Sequence, residues 1–192
     1  TSDEAVPWEQ PARIGWIRAF SDTVRGAMFG GPGFFAAMRP GGSLAPAYLF
    51  FLLLGYISIV SSLLWSRAFE ALLPDMSPFS AERVGLPVLL LLAPMSLGLM
   101  QLFVTGWVRL IIGLASPSRA DFVLVFRVVG YAFAPFVLSV APFIGPPLGS
   151  AWFLALLIMG CRGALGLSPL LAVLAPLPPA LLMLGAITWF FL

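Results

Sequence analysis

Apolar and polar positions divide the chain into a polar N-terminal arm, at about 1–42, and a region of four long intervals that carry no charged residue. A helix needs about 20 apolar residues to cross the hydrocarbon core of a bilayer. The intervals 41–66 and 84–108 each accommodate one such helix, and the apolar pattern of the second continues past Arg109. We therefore predict membrane spans at about 44–65 and 86–115.

The third interval, 128–161, has 34 residues, which is too long for one span and slightly short for two. A turn signal, Pro142-Phe-Ile-Gly-Pro-Pro147, lies in its middle and predicts a helical hairpin with spans at about 121–141 and 147–165. The last interval begins with Ser168-Pro169, a helix cap followed by a first-turn proline, and predicts a span at about 169–191. Its three prolines, at 176, 178 and 179, predict a break there.

These intervals predict an all-α, polytopic membrane protein in which residues 43–192 form a five-span membrane domain. In the arm, residues 11–29 have the apolar spacing of an amphipathic helix, whose apolar stripe is Ile14, Ile17, Phe20, Val24 and Met28 and whose opposite face carries Arg18, Asp22 and Arg25. Such a helix either lies in the membrane interface or packs against the end of the bundle. The aromatic residues that we expect to contribute to an interfacial arm are Trp8, Trp16, Phe20, Phe34 and Phe35.

The positions of the arginines predict the orientation. If the N-terminus is cytoplasmic, five spans place eight arginines inside and only Arg67 and Arg83 outside, and the C-terminus is then periplasmic. This distribution satisfies the positive-inside rule.

Composition limits the chemistry that the chain can perform. It is 60% hydrophobic and only 9% charged, contains no histidine and a single cysteine, and all ten of its basic residues are arginine. These absences exclude His-based acid–base catalysis, lysine Schiff bases and multi-Cys metal sites. We therefore expect no enzymatic activity, no cofactor and no nucleic-acid partner.

One candidate binding site lies at the predicted inner boundary. Arg127 and Tyr131 are four residues apart and share a helix face, and Arg109 is expected at a similar depth on the second span. The group is a possible contact for an anionic lipid. Alternatively, the arginines extend to the headgroups, or pair with Asp121 and helix-end carbonyls, and only set the orientation.

Small residues at helical spacing predict close helix packing, with homodimerisation as the alternative. They are Gly55, Ser58 and Ser62 in the first span, Gly130 and Ala134 in the third, and Gly160, Gly163 and Gly166 in the fourth. Gln101 and Thr105 are expected to form hydrogen bonds between helices.

The order of these parts resembles bacterial members of the Yip-domain (Ypt-interacting protein) family. The matching motifs are Pro32-Gly-Phe-Phe35, Phe126-Arg-Val-Val-Gly-Tyr-Ala-Phe-Ala-Pro135, Pro142-Phe-Ile-Gly145 and Gly160-Cys-Arg-Gly163. The resemblance implies five spans, a cytoplasmic N-terminus and a place in the bacterial inner membrane. The chain lacks the family's long N-terminal region and its Asp-Leu-Tyr-Gly-Pro signature, so Rab binding is not expected.

Taken together, the sequence predicts a non-enzymatic integral membrane scaffold or accessory subunit. The partners that we expect are membrane lipids and either another membrane protein or a second copy of this chain. The alternative is a transporter or permeability protein for a small neutral or lipid-like solute. The near-absence of ionisable groups within the spans weighs against ion coupling.

Overall fold

The computed structural model describes residues 6–38, 40–72, 86–179 and 181, and within these ranges the regular elements are all helices. The α-helices are α1 (Pro11–Ile14), α2 (Trp16–Phe29), α3 (Gly31–Ala36), α4 (Leu44–Leu72), α5 (Leu86–Ala115), α6 (Phe122–Ala132), α7 (Gly145–Gly163) and α8 (Pro169–Leu174). Short 3-10 helices cover Pro7–Glu9, Pro117–Arg119 and Ala134–Val140.

Three helical stretches in the described part are long and apolar enough to cross a membrane: Leu44–Leu72, Leu90–Ala115 and Phe122–Val140. The all-α class is confirmed for the described residues, and these helices are consistent with a membrane protein. The other two predicted spans fall on α7 and on a segment that begins with α8, and neither is among these three stretches. Residues 180 and 182–192 of that last segment lie outside the described residues.

Two tyrosines of α4 donate hydrogen bonds to backbone carbonyls of α5 near Pro94. Pro94 has no N–H group, so the carbonyl of Leu90, one turn earlier, loses its helical donor. The hydroxyl of Tyr56 donates to this carbonyl at 3.0 Å. The hydroxyl of Tyr48 donates to the carbonyl of Pro94 at 2.8 Å, and Gly98 leaves room for its ring. The hydroxyl of Tyr56 therefore replaces the backbone donor that Pro94 lacks, as neighbouring helices do for prolines in membrane helices.

The predicted hairpin is present. Asp121 caps α6 by accepting a hydrogen bond from the backbone N–H of Leu124 at 2.7 Å, and the chain then continues from α6 into the 3-10 helix Ala134–Val140. A turn at residues 141–144 leads into α7. Ser58 of α4 holds this region because its hydroxyl lies 3.0 Å from the hydroxyl of Ser139.

The start of α8 also agrees with the prediction from the sequence. Its N-cap, Ser168, accepts a hydrogen bond from the backbone N–H of Leu171, and Pro169 occupies the first turn. The helix ends at Leu174 and a turn follows at residues 175–176, as the proline cluster predicts.

The arm differs from the single helix predicted at 11–29. Gly15 has a φ of 88°, a left-handed conformation that interrupts the helix between α1 and α2. The fully buried residues of α2 are small, namely Ala19, Thr23 and Ala27; Met28 is also buried, and Phe20 and Val24 pack against the core. Ile17, from the predicted apolar stripe, is 87% exposed. The arm therefore packs on the bundle through small side chains and part of its apolar stripe, and it leaves Ile17 uncovered.

Candidate functional site

A buried ion pair joins the arm to the bundle. The guanidinium of Arg127, on α6, donates to Oε1 of Glu9 through Nη2 at 2.6 Å and through Nε at 3.2 Å. The hydroxyl of Tyr131, one turn further along α6, donates to the same oxygen at 3.0 Å. Arg127 and Tyr131 do share a helix face, and the group that they hold is a carboxylate from the arm of the same chain.

The site is enclosed on the α6 side and more open on the arm side. The side chain of Arg127 is 4% exposed, whereas that of Glu9 is 18% exposed. Gly42, just before α4, lies against the guanidinium: an added Cβ there would be 2.6 Å from Cζ and 3.0 Å from Nε of Arg127. The guanidinium of Arg127 can therefore lie against the backbone at position 42 only because Gly42 has no side chain.

Trp8 holds Glu9 in place. Its backbone N–H donates to Oγ1 of Thr23 at 2.9 Å, and its indole Nε1 donates to the carbonyl of Pro46 at 2.8 Å. Its ring packs edge-on against Phe20 and tilted against Phe50. Because these partners lie on two different elements, α2 and α4, the carboxylate next to Trp8 has little freedom to move while the arm is packed.

Aromatic rings surround the Tyr131 side of the cluster. The ring of Phe50 lies 5.3 Å from that of Tyr131 between centroids, and the ring of Phe34 lies 6.3 Å away in an edge-on arrangement. Tyr131 is fully buried. In such an apolar setting an uncompensated arginine is costly, so Arg127 requires an anion nearby. The cluster is thus an anion-binding arrangement that Glu9 fills.

Arg109, the third member of the predicted lipid contact, makes its hydrogen bond elsewhere. Its Nε donates to the carbonyl of Ala120 at 3.1 Å and its side chain is exposed. Arg119 donates to the carbonyl of Gly166. Asp121, considered in the sequence as a partner for the arginines, is the cap of α6.

The residues predicted for an interfacial arm have different environments. Trp8 and Phe35 are buried, and Phe20 and Phe34 are half-buried. Trp16 is 64% exposed. Most of this aromatic set therefore attaches the arm to the bundle, and Trp16 belongs to the exposed surface.

Four of the predicted packing glycines lie at close approaches. A Cβ on Gly55 would overlap the side chain of Leu97, one on Gly160 would overlap Val128, and one on Gly163 would overlap the carbonyl of Pro32. At Gly130 a Cβ would lie 2.9 Å from the carbonyl oxygen of Ala47 and from Nε2 of Gln101. Gly160 and Gly163 accommodate the arm as well as the helices, which the spacing alone did not indicate.

The other small residues have varied roles. Ala134 is buried, Ser58 bonds the hairpin, and Ser62 is exposed. Gly166 does not belong to α7, which ends at Gly163. Its φ of 59° places it in a left-handed turn after the helix, so turn geometry, and not helix contact, accounts for this glycine.

Polar groups in the middle of α5 are only partly satisfied. Nε2 of Gln101 donates to the carbonyl of Phe126 on α6 at 3.3 Å, which is the expected bond between helices. Oε1 of Gln101 and Oγ1 of Thr105 are buried and have no hydrogen-bond partner among the described residues.

Glu9 is the residue of this candidate site that the sequence predictions did not include. Two local signals point to it: it follows a tryptophan between Pro7 and Pro11, and Arg127 adjoins a long interval that offers no acidic partner. Within the described residues no cluster of three or more His, Cys, Asp or Glu side chains is arranged to hold a metal ion.

The described helices and this buried ion pair define the class that the structure supports, an all-helical protein consistent with insertion in a membrane. Searches for similar proteins found no matching family model, no matching curated protein and no matching solved structure.

Proposed function

We propose that the protein is a non-enzymatic integral membrane scaffold or accessory subunit that binds lipids or another membrane protein. The observation that carries this proposal is the arm: Glu9 and Trp8 attach it to the bundle, while Ile14, Trp16 and Ile17 stay exposed. Exposed apolar residues that form a contiguous patch are typical of a membrane or protein contact.

The charges around the patch favour an anionic surface. Arg13 and Arg18 flank the exposed Ile14, Trp16 and Ile17, and both arginines are exposed. Apolar residues that enter the interface, together with basic residues that attract headgroups, are the two components of interfacial membrane binding. The same surface would suit an amphipathic segment of a partner protein, and the masses of bound species distinguish the two.

One side of α5 offers a second contact area. Its exposed apolar residues are Val88, Leu91, Leu92, Met95, Leu99, Leu102, Phe103, Leu110 and Leu114. In a membrane this side would face lipid tails or the helices of a partner. We place the protein in the bacterial inner membrane on the resemblance to Yip-domain proteins and on the arginine distribution.

We further propose the five-span topology with a cytoplasmic N-terminus. Fusions to alkaline phosphatase, which is active only outside the cytoplasm, test it. We expect activity from a fusion after Leu192 and none from a fusion after Ala115, because five spans place these points on opposite sides. An inactive fusion after Leu192, with the protein present in the membrane, would contradict an odd number of spans.

Native mass spectrometry of the protein, extracted gently from its own membrane, tests the scaffold function. We expect a bound second polypeptide, a second copy of this chain or retained lipid, and we expect Ile17→Ser to reduce the complex. Ala12→Ser is the matched control, because it changes another exposed arm residue outside the apolar patch. A bare monomer in both the wild-type and the control spectra would contradict the proposal.

A transporter for a small neutral solute is the second candidate. The observation in its favour is the pair of buried polar atoms on Gln101 and Thr105, in the middle of α5, which have no partner among the described residues. Polar groups that are left unsatisfied inside a bundle are costly unless water or a solute binds them. In the native spectra, a second polypeptide shifts support away from this candidate, whereas a monomer or homodimer that carries only lipid fits both functions.

A further inference from the structure

We propose that Arg127 and Tyr131 form a binding site for the phosphate group of an anionic lipid, and that Glu9 occupies this site as an internal competitor. The inference rests on the lipid-binding part of the proposed function and deepens it by naming the ligand and the group that it displaces. The site on α6 then has two states: in the closed state Glu9 occupies it, and in the other state a lipid headgroup occupies it.

The donors suit a phosphate as well as they suit a carboxylate. Three hydrogen bonds to Glu9 end on the single oxygen Oε1: two from Arg127 and one from the hydroxyl of Tyr131. A guanidinium forms its strongest pairs when two parallel N–H groups meet two separate oxygens. A phosphodiester offers two charged oxygens in such an arrangement, and one of them remains within reach of the tyrosine hydroxyl.

The approach to the site runs through the position of Glu9. The side chain of Arg127 is 4% exposed and that of Glu9 is 18% exposed, so the pair meets the surface on the side of the arm. Glu9 belongs to the three-residue 3-10 helix Pro7–Glu9, which depends on packing for its stability. If this short element moves aside, Glu9 leaves the guanidinium on the side on which the pair meets the surface, and α6 need not change.

The exchange replaces one anion by another. Arg127 therefore keeps a negative partner in both states, which avoids the cost of a buried charge without compensation. The cost of releasing the arm is offset when its exposed residues, Trp16 and Ile17, enter the interface beside the bound lipid. Arg13 and Arg18 raise the local concentration of anionic headgroups at this end of the arm.

The test uses full-length protein in nanodiscs of phosphatidylcholine alone or of phosphatidylcholine with an equal amount of phosphatidylglycerol. Native mass spectrometry counts the retained phosphatidylglycerol, and hydrogen exchange follows the backbone amide of Trp8, which bonds Thr23 in the closed state. Glu9→Gln removes the competing charge and is expected to retain phosphatidylglycerol about tenfold more strongly than the wild type. Phosphatidylglycerol should also speed exchange at Trp8 in the wild type.

Asp22→Asn is the matched control, since it removes the same charge from an exposed arm residue that pairs with Arg18. It should leave lipid retention unchanged, and adding Arg127→Gln to Glu9→Gln should abolish the gain. Inorganic phosphate added to discs of phosphatidylcholine alone tests a free anion: faster exchange at Trp8 there would assign the site to phosphate in solution and overturn the lipid assignment.

Two outcomes separate this inference from the function on which it rests. Phosphatidylglycerol retained equally by the wild type, Glu9→Gln and Arg127→Gln would support lipid binding and overturn the competition. No retained phosphatidylglycerol in any variant would overturn both. If Glu9→Gln does not fold, Tyr131→Phe removes one donor from the phosphate and keeps the ion pair, and reduced lipid retention in that variant is the expected result.

Discussion

Replacing Arg127 by leucine is expected to lower the free energy of unfolding by about 3 kcal/mol. The substitution leaves the carboxylate of Glu9 and the hydroxyl of Tyr131 without the guanidinium that organises them. Removing one partner of a buried ion pair is far more costly than removing both, because the remaining charge stays desolvated. Glu9 is partly exposed, so its carboxylate can regain some water, and we expect the lower end of the usual range.

Thermal unfolding in one detergent, followed by tryptophan fluorescence, measures this loss. Glu9→Leu/Arg127→Leu should recover most of the stability, because the double variant contains neither buried charge. Arg67→Leu is the control, since Arg67 forms an exposed ion pair with Glu70, and the expected change is below about 1 kcal/mol. Additive losses in the double variant would show that Arg127 and Glu9 act independently.

Gly145→Ala is expected to lower the free energy of unfolding by about 3 kcal/mol, at the upper end of the range for overpacking. Gly145 begins α7 directly after the hairpin turn, and an added Cβ would overlap the carbonyl oxygen of Leu138 and lie 3.2 Å from Cα of Ser139. These are backbone atoms, which cannot rotate away as a side chain does. The hairpin must therefore open or shift to admit one methyl group.

Gly106→Ala is a control for which we expect the free energy of unfolding to stay the same or to rise. Gly106 lies within α5, and nothing in the described part of the chain lies within 4 Å of a Cβ added there. Alanine stabilises a helix relative to glycine by up to about 1 kcal/mol. The same unfolding measurement should therefore show Gly106→Ala at or above the wild type and Gly145→Ala well below it. Equal stabilities for the two variants would contradict the close approach at Gly145.

The packing of the arm connects these predictions to function. Glu9 and Trp8 hold the arm on the bundle, and the exposed Trp16 and Ile17 lie on the same arm. A substitution that weakens the ion pair should therefore change both stability and the membrane contact of the arm. A substitution in the hairpin, such as Gly145→Ala, should change stability alone.

Local features of this protein were determined by the sequence itself. The apolar pattern predicts a second span at 86–115, and α5 covers Leu86–Ala115; the cap at Ser168 and the turn before Gly145 are also predicted. Apolar runs, caps and prolines act on neighbouring residues, so their effects can be predicted without knowing the path of the chain. The first span is predicted to end near 65, but α4 continues to Leu72, because charged residues such as Arg67 and Glu70 are compatible with a helix that extends beyond the apolar run.

Only the tertiary structure decided which groups meet. Glu9 and Arg127 are 118 residues apart, and no periodicity along the chain relates them. The predicted stripe did not show which residues of α2 are fully buried: Ala19 and Ala27 are small and allow a close approach to the bundle, whereas Ile17 of the stripe is exposed. Contacts of this kind depend on how the arm returns to the bundle, and that path is determined by the packing of the whole chain.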